Sequence, residues 1–238
     1  MKNWLLTAPS LDDLIRLLRA WRFWLLGALV GGLLGTAVYF AFPPEYRAQA
    51  IVTVDFNMEQ AWPANSDAEM FYYLDREARK LVDVAWADST LQIVAAKTGM
   101  ALPTLRSGKL ELSQPQDGGW RFYATDPQAD VAHRLASAWA EAFYAQVQQG
   151  IQTEVALSAA RKALEANPAD AKLKATVNEL EAKAPGITPE LQVSITQLDG
   201  GPVARKTGMG TYVLAGAGLL LALAALWILF GSSGKRNA

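Results

Sequence analysis

Two long uncharged apolar stretches constrain the fold of this chain more than any other feature. Residues 23–42 (FWLLGALVGGLLGTAVYFAF) and 211–230 (TYVLAGAGLLLALAALWILF) are each 20 residues long and carry no charge. A helix of that length spans about 30 Å, which is the thickness of the hydrocarbon core of a bilayer. Tyr39 and Tyr212 stand near the ends, as is typical of membrane interfaces. The sequence therefore predicts two transmembrane helices, with both termini on the same side of a membrane.

The basic residues beside these stretches predict the orientation. Segments 1–22 and 231–238 contain six Lys and Arg residues, whereas the opposite flanks contain three, Arg47, Arg205 and Lys206. Cytoplasmic flanks carry the excess of basic residues. We therefore expect a two-pass protein of the cytoplasmic (inner) membrane, with residues 1–22 and the tail 231–238 in the cytoplasm and residues 43–210 outside.

A cleaved signal peptide is the alternative interpretation of the first stretch, because Ala48-Gln49-Ala50 imitates a cleavage site. The apolar core of a signal peptide has about 7–15 residues and its cleavage site follows closely. Here the apolar run is longer, and Pro43-Pro44 begins the segment that separates it from the alanines. These differences favour a membrane span.

Residues 1–22 are predicted to form a cytoplasmic amphipathic segment. Ser10 is placed as an N-cap, and Asp12 and Asp13 suit the positive end of a helix dipole. The apolar face of this segment consists of Leu14, Leu17 and Leu18.

Composition excludes several classes of function. The 22 Lys and Arg residues balance 23 Asp and Glu residues without a basic stripe, so no nucleic-acid partner is expected. Cysteine is absent, and His133 is the only histidine, which leaves little material for a metal site. The segment 200–207 imitates a phosphate loop, but Arg205 stands where the motif requires glycine. Glu69, Asp75 and Glu77 are predicted to be solvated. We expect no catalytic residue, metal or cofactor.

Periodicity between the two stretches predicts an α+β domain, residues 43–210, with a mixed β-sheet and a helical arm at about 127–184. Asp126-Pro127 is read as the start of the long helix, with Trp139 and Phe143 on its apolar face, and Asn167-Pro168 as its end. The arm has two interpretations, a surface excursion that closes the core or an oligomerisation arm. The predicted strands are 48–56, 109–113, 120–125 and 191–198, and the predicted helices are 67–87, 90–98, the one from 127 and 169–184.

Three glycines repeat at intervals of four in the first stretch: Gly27, Gly31 and Gly35. This spacing places them on one helix face, where another helix can approach to backbone contact. Small residues in the second stretch form a matching patch, namely Ala215, Gly216, Gly218 and Ala222. The sequence leaves open whether the partner helix lies in the same chain, in another subunit or in another protein.

The segment after the first stretch resembles the chain-length determinant family (polysaccharide co-polymerases, Wzz type). Pro44, Tyr46, Ala48 and Ala50 match the P-x-Y-x-A-x-A-like segment of that family. The run 126–132 that enters the long helix, and a strand followed by Pro202 before the second span, are similar to later landmarks. The resemblance covers nearly the whole chain, although the proline-rich run of the family is reduced here to Pro202 and the arm is short.

This resemblance implies a non-enzymatic scaffold that regulates the chain length or export of a surface polysaccharide (O-antigen, capsule or exopolysaccharide). The implied partners are further copies of the chain, membrane lipid, and a membrane polymerase or export machinery. The alternatives are an activator of a separate tyrosine kinase in polysaccharide synthesis, and a two-span sensor or anchor subunit of another envelope complex. An anchored periplasmic hydrolase would need a carboxylate or serine site that the sequence does not reveal.

Overall fold

The computed structural model describes residues 15, 19–57, 67–114, 119–198 and 203–231, with the backbone alone for 67–71 and 228–231. The proposed cap and apolar face of the cytoplasmic amphipathic segment therefore lie outside the described residues. The chain divides into two compact units. One comprises the terminal segments up to Pro44 and from Arg205, and the other comprises Glu45–Ala204.

The secondary structure, numbered in chain order, is as follows. The helices are α1 (Trp21–Ala41), α2 (Asp67–Trp86), α3 (Asp88–Thr98), the single turn α4 (Leu102–Thr104), α5 (Ala129–Ala166), α6 (Ala171–Lys183) and α7 (Met209–Gly231). The strands are β1 (Tyr46–Asp55), β2 (Leu110–Ser113), β3 (Gly119–Asp126), β4 (Gln192–Gln197) and β5 (Ala204–Arg205). The prediction of an α+β chain is confirmed.

Helices α1 and α7 pack against each other and form the first unit. Both are long and apolar enough to cross a membrane. Their outward faces are aliphatic, and Leu29, Leu33 and Leu219 are each more than 60% exposed. Leucine exposed to this extent on a long apolar helix suits a lipid environment. The two apolar stretches are thus helices that could span a membrane.

The sheet of the second unit has the strand order β2-β3-β1-β4, and β5 also pairs with β1. The pairs β1–β3, β1–β4 and β2–β3 are antiparallel, so the prediction of a mixed sheet is wrong. Strands β1 and β2 do run in the same direction, but β3 lies between them. In the same way, β1 separates the like-directed β3 and β4. Each helical connection therefore passes over a strand of opposite direction.

One face of the sheet carries the core. Along β1, the side chains of Ala48, Ala50, Val52 and Val54 are buried in strict alternation, as period-two patterning predicts. Helix α5 packs on β1, β3 and β4, and helices α2 and α3 pack on α5. The core is therefore built around the first half of α5.

Aromatic rings fix α5 in this position. Trp139 packs edge-on against Phe122 of β3 and Trp86 of α2, with ring centroids 4.9 and 4.8 Å apart. Its indole nitrogen donates a hydrogen bond to the Ala85 carbonyl over 2.9 Å. Phe143 stacks on Trp120 at 5.5 Å. The prediction that Trp139 and Phe143 face the core is confirmed.

Helices α5 and α6 begin slightly later in the chain than their predicted starts at Pro127 and residue 169. Helix α5 begins at Ala129, and Asp126 instead accepts a hydrogen bond from the Gln128 amide in a turn before it. Helix α6 begins at Ala171, because the Asp170 carboxylate caps the amides of Lys172 and Leu173. In both cases an aspartate sets the turn, as its short carboxylate suits it to do.

Helices α5 and α6 form the predicted arm, an antiparallel hairpin. The two helices pack against each other: Leu157 of α5 and Val177 of α6 are buried, and Arg161 of α5 bonds Glu181 of α6 over 2.7 Å. Within this fully described hairpin, Val155 is the only large apolar side chain classed as exposed. The apolar stripe is therefore covered within the hairpin, which favours the interpretation of a closed surface excursion.

Candidate functional site

The glycines of α1 lie at the contact with α7. Gly31 and Gly35 are buried, and a Cβ on Gly31 would fall 2.8 Å from the Ala217 Cα. A Cβ on Gly35 would fall 2.8 Å from the Tyr212 carbonyl carbon. Both distances are too short for real side chains, so these two positions require glycine. The partner helix of this face is therefore in the same chain.

Gly27 occupies a more open part of the same contact. A Cβ there would lie 3.7 Å from the Leu220 carbonyl oxygen and 4.0 Å from the Ala224 Cβ, which are ordinary contacts. On α7, Gly216 faces Gly31 closely, whereas a Cβ on Gly218 would meet nothing within 4 Å. The two helices thus approach most closely between Gly31 and Gly35.

The family-like segment leads into β1. Ala48 and Ala50 are 3% and 0% exposed under α5, whose own Ala132, Ala136 and Ala140 are equally buried. Small side chains on both elements allow a helix to pack close to a strand. Tyr46 is half-buried against the core, and Pro44 precedes the strand. These alanines therefore act in packing.

Lys109 holds the start of β1 against the end of β3. Its ammonium lies 3.0 Å from a Glu45 carboxylate oxygen and 3.4 Å from one of Asp126. Burial lowers the pKa of Lys109, but the hydrogen bond that Lys109 donates to Glu45 and the charges of both carboxylates outweigh this effect. The pKa is therefore raised above its ordinary 10.5, and the lysine remains charged in this cluster.

Glu77 was expected at the surface, and this expectation is wrong. It is 3% exposed, and its carboxylate accepts hydrogen bonds from Lys80 at 2.8 Å and Thr188 at 3.0 Å. Tyr73 bonds the same Thr188 hydroxyl at 2.7 Å, and Lys80 also bonds the Gly186 carbonyl. This buried polar cluster ties α2 to the segment that returns from the arm.

A signal for this burial exists in the sequence. Leu74, Glu77 and Leu81 are three and four residues apart, so they share one helix face. The helix face that Leu74 and Leu81 define therefore also contains the glutamate. By contrast, Asp75 lies on another face, bonds Arg79 over 2.7 Å and has a side chain 61% exposed, as expected.

A cleft of about 380 Å³ with both polar and apolar lining groups, named the polar cleft after the former, lies where the arm leaves the core. Its polar groups are carboxamides, hydroxyls and one ammonium, and its apolar wall includes Pro185. The lining residues are Val84, Ala87, Ser89, Gln146, Gln149, Gly150, Thr153, Lys183 and Pro185. The volume is within the range of about 300–1,000 Å³ found for small-ligand sites.

The cleft depends on Gly150. A Cβ at this position would fall 2.8 Å from the Pro185 Cγ and 3.0 Å from the Ile187 Cδ1, so the return segment packs directly on the α5 backbone. Lys183 at the rim bonds Glu179 over 2.7 Å, and this bond and the lysine charge lower the pKa of Glu179. The lining can form several hydrogen bonds with an uncharged polyhydroxylated molecule.

In the part of the chain that the structure describes, no three His, Asp or Glu side chains come together as a metal-binding group. The phosphate-loop-like glycines 200 and 201 lie outside the described residues. No protein-family model matches the chain, and no curated protein matches it.

Proposed function

We propose that this protein is a non-enzymatic scaffold of the cytoplasmic membrane that regulates the chain length or export of a surface polysaccharide. It works as a homo-oligomer beside a membrane polymerase or export machinery. Both termini are cytoplasmic, and the α+β unit faces the outside, where the polymer emerges.

One observation carries this proposal. Two long apolar helices bracket, in sequence, a single α+β unit whose β1 begins in the Pro44–Ala50 segment and whose long helix forms a hairpin arm. This order of elements agrees with the order of landmarks that resembles the chain-length determinant family. Support therefore comes from the arrangement of the whole chain and not from a single motif.

The polar cleft gives the scaffold a place to contact glycan. Gln146, Gln149 and Ser89 present amide and hydroxyl groups, and Val84 and Pro185 add apolar surface. Sugars offer hydroxyls to the first kind of group and C–H faces to the second. Weak binding at this point would hold a growing polymer against the base of the arm without breaking any bond.

Deleting the gene and profiling the surface polysaccharide on gels tests the proposal. The expected result is an altered length distribution with unchanged repeat-unit composition, restored by the wild-type chain. Complementation with a Gln146→Ala/Gln149→Ala variant should give an intermediate profile. A deletion strain with the wild-type distribution would contradict the proposed function.

The two alternatives predict different results. A kinase activator would change tyrosine phosphorylation of a separate protein before it changed polymer length. A sensor or anchor subunit would leave the polymer profile unaltered and change the abundance of another envelope complex. The same deletion strain, probed for phosphotyrosine and for membrane complexes, separates the three functions.

A further inference from the structure

The polar cleft has three walls, and they come from distant parts of the chain. One wall is the long helix α5, which contributes Gln146 and Gln149. The second wall is the junction of α2 and α3, which contributes Ser89. The third wall is the end of α6 and the start of the return segment, residues 184–191, which leads from the arm to β4 and contributes Pro185. A molecule that fills the cleft therefore touches the core and the return segment at once.

Polar bonds outside the cleft hold the same end of the return segment. The Gly186 amide donates a hydrogen bond to the Glu154 carboxylate of α5 over 2.6 Å, and the Gly186 carbonyl accepts one from Lys80 of α2. Both bonds are exposed to water, which competes for the same groups, so each adds only modestly to stability. Ile187, next in the chain, is buried. Additional bonds from a ligand in the cleft would therefore change how often the segment opens before Ile187.

The lining indicates the kind of ligand that fits. Carboxamides and hydroxyls can both donate and accept hydrogen bonds. The side chains of this kind are those of Gln146, Gln149, Ser89 and Thr153. Among the lining residues that the structure describes, only Lys183 is charged, and its ammonium already bonds Glu179 over 2.7 Å. An uncharged ligand matches the remaining groups. The volume of about 380 Å³ is near the lower end of the range for small-ligand sites, so it suits a short segment of glycan.

We infer that the polar cleft binds a short uncharged segment of glycan and that this binding is coupled to closure of the return segment on the core. The identity of the ligand rests on the proposed function. A ligand that bridges the walls keeps all its contacts only while the return segment lies against α5. Binding therefore favours the closed state, and by linkage the closed state favours binding. Because α6 leads directly into this segment, glycan in the cleft would also steady the arm.

Hydrogen exchange of the full chain in lipid nanodiscs, read by mass spectrometry, tests the coupling. The probe is the mixture of short fragments that partial acid hydrolysis releases from the surface polysaccharide of the same cells, separated into neutral and acidic fractions. We expect the neutral fraction to slow exchange at residues 184–187 of the wild type by roughly fivefold. A response to the acidic fraction alone would overturn the inferred class of ligand.

Gln146→Ala/Gln149→Ala removes the two carboxamides on α5. Its exchange without the probe should match that of the wild type, and the probe should no longer slow it. Gln152→Ala is the matched control, because Gln152 is an exposed glutamine of the same helix that does not line the cleft. It should respond to the probe as the wild type does. Slowing that persists in the double variant would overturn the assignment of the site.

Glu154→Ala tests the coupling from the other side. It removes the acceptor of the Gly186 amide and leaves the described lining residues of the cleft unchanged. Exchange at residues 184–187 should be faster without the probe, and the apparent affinity for the neutral fraction should fall by roughly fivefold. Glu165→Ala, at an exposed position farther along α5, is the control and should change neither quantity. Faster exchange with an unchanged affinity would overturn the coupling.

The length distribution in the deletion strain tests the proposed function without reference to the cleft. A wild-type protein that does not respond to the probe, although the deletion alters the length distribution, would overturn the coupled binding alone. An unaltered length distribution would instead overturn the proposed function.

Discussion

Glu77 is a buried carboxylate whose two hydrogen-bond donors, Lys80 and Thr188, come from two distant parts of the chain. Lys80 comes from its own helix, whereas Thr188 and the Gly186 carbonyl, which Lys80 binds, belong to the return from the arm. A buried carboxylate is stable only when its hydrogen bonds are satisfied. The cluster therefore fixes where the arm rejoins the domain.

Replacing Glu77 tests this role. Glu77→Ala removes the carboxylate acceptor of the Thr188 hydroxyl and one of the two acceptors of Lys80, and we expect a loss of about 1–3 kcal/mol in the free energy of unfolding. Glu77→Gln keeps one acceptor oxygen, so its free energy of unfolding should fall by less than that of Glu77→Ala. Urea unfolding of the detergent-solubilised chain, followed by tryptophan fluorescence, measures both. Asp75→Ala, at the exposed pair with Arg79, is the control and should cost less than either. An equal loss in the free energy of unfolding for Asp75→Ala and Glu77→Ala would contradict a structural role for the buried cluster.

Lys109 gives the stability a pH dependence at the alkaline end. Its pKa is raised above 10.5 in the folded protein, so the interaction stabilises the fold fully below that pH and is lost as the pH rises through the folded-state pKa. Lys109→Met should lower the free energy of unfolding by about 1 kcal/mol at neutral pH. The difference from the wild type should shrink above pH 10.5. Unfolding curves collected at several pH values measure this difference.

The control for Lys109 is Lys97→Met. Lys97 bonds Glu141 over 2.6 Å, but both side chains are more than a third exposed, so its removal should cost less than that of Lys109. A Lys109→Met difference that stays constant from neutral to strongly alkaline pH would show that the ammonium charge does not matter.

At the scale of elements, the α1–α7 contact depends on glycine backbones. The chain has no cysteine, so an engineered pair reports this contact alone. The Cβ positions of residues 27 and 224 are 4.0 Å apart, which suits a disulfide. Gly27→Cys/Ala224→Cys should therefore form an intrachain disulfide in the membrane.

Adding Gly31→Leu should sharply reduce the yield of this disulfide, because the leucine would collide with the Gly216 and Ala217 backbone. Gly218→Leu should not change the yield. Peptide mapping after oxidation, without reducing agent, measures the yield and distinguishes intrachain from interchain bonds. Undiminished intrachain yield in Gly31→Leu would mean that the close glycine contact does not hold the helices together.

Periodicity predicted most helices and strands, but it did not predict the features that long-range contacts determine, such as the order of the strands. Alternation along Ala48–Val54 and the helical spacing of Trp139 and Phe143 gave correct elements and correct buried faces. The order of the strands depends on β3 inserting between β1 and β2, which no local pattern encodes. The single turn α4, and the irregular turn Leu105–Lys109 that follows it, are too short to show a period.

The candidate sites also depend on long-range contacts that the sequence does not reveal. The spacing of Gly31 and Gly35 identified a helix-packing face, but only the structure supplies its partner, Tyr212 to Ala217 of α7. The polar cleft combines residues near positions 89, 149 and 185. Because these segments are far apart in sequence and individually ordinary, no motif marks the cleft.

At the scale of the whole molecule, the proposal requires a defined orientation in the membrane. The six basic residues in 1–22 and 231–238, against three on the opposite flanks, predict cytoplasmic termini. A reporter fused after Ala238 should therefore be cytoplasmic, and one inserted at Asp117 should lie outside. Paired phosphatase and fluorescent-protein fusions measure this. A C-terminal reporter found outside would contradict the orientation on which the scaffold model depends.

A scaffold and an enzyme also respond differently to substitution. A scaffold acts through shape, so changing the base of the arm matters more than removing any one exposed carboxylate. Gly150→Val is the shape variant, because its side chain would press on Pro185 and Ile187. The activity of an enzyme would instead fall by about 10²–10⁴-fold when its essential acid or base is removed.

The most direct test is the length distribution of surface polysaccharide in deletion cells that express single variants at equal levels. We expect a shifted distribution for Gly150→Val and near wild-type profiles for Asp75→Asn, Asp83→Asn and Asp88→Asn, which change three exposed carboxylates outside the membrane helices. If substitution of one of these exposed carboxylates abolishes length control while the protein still assembles in the membrane, the proposed scaffold function is contradicted.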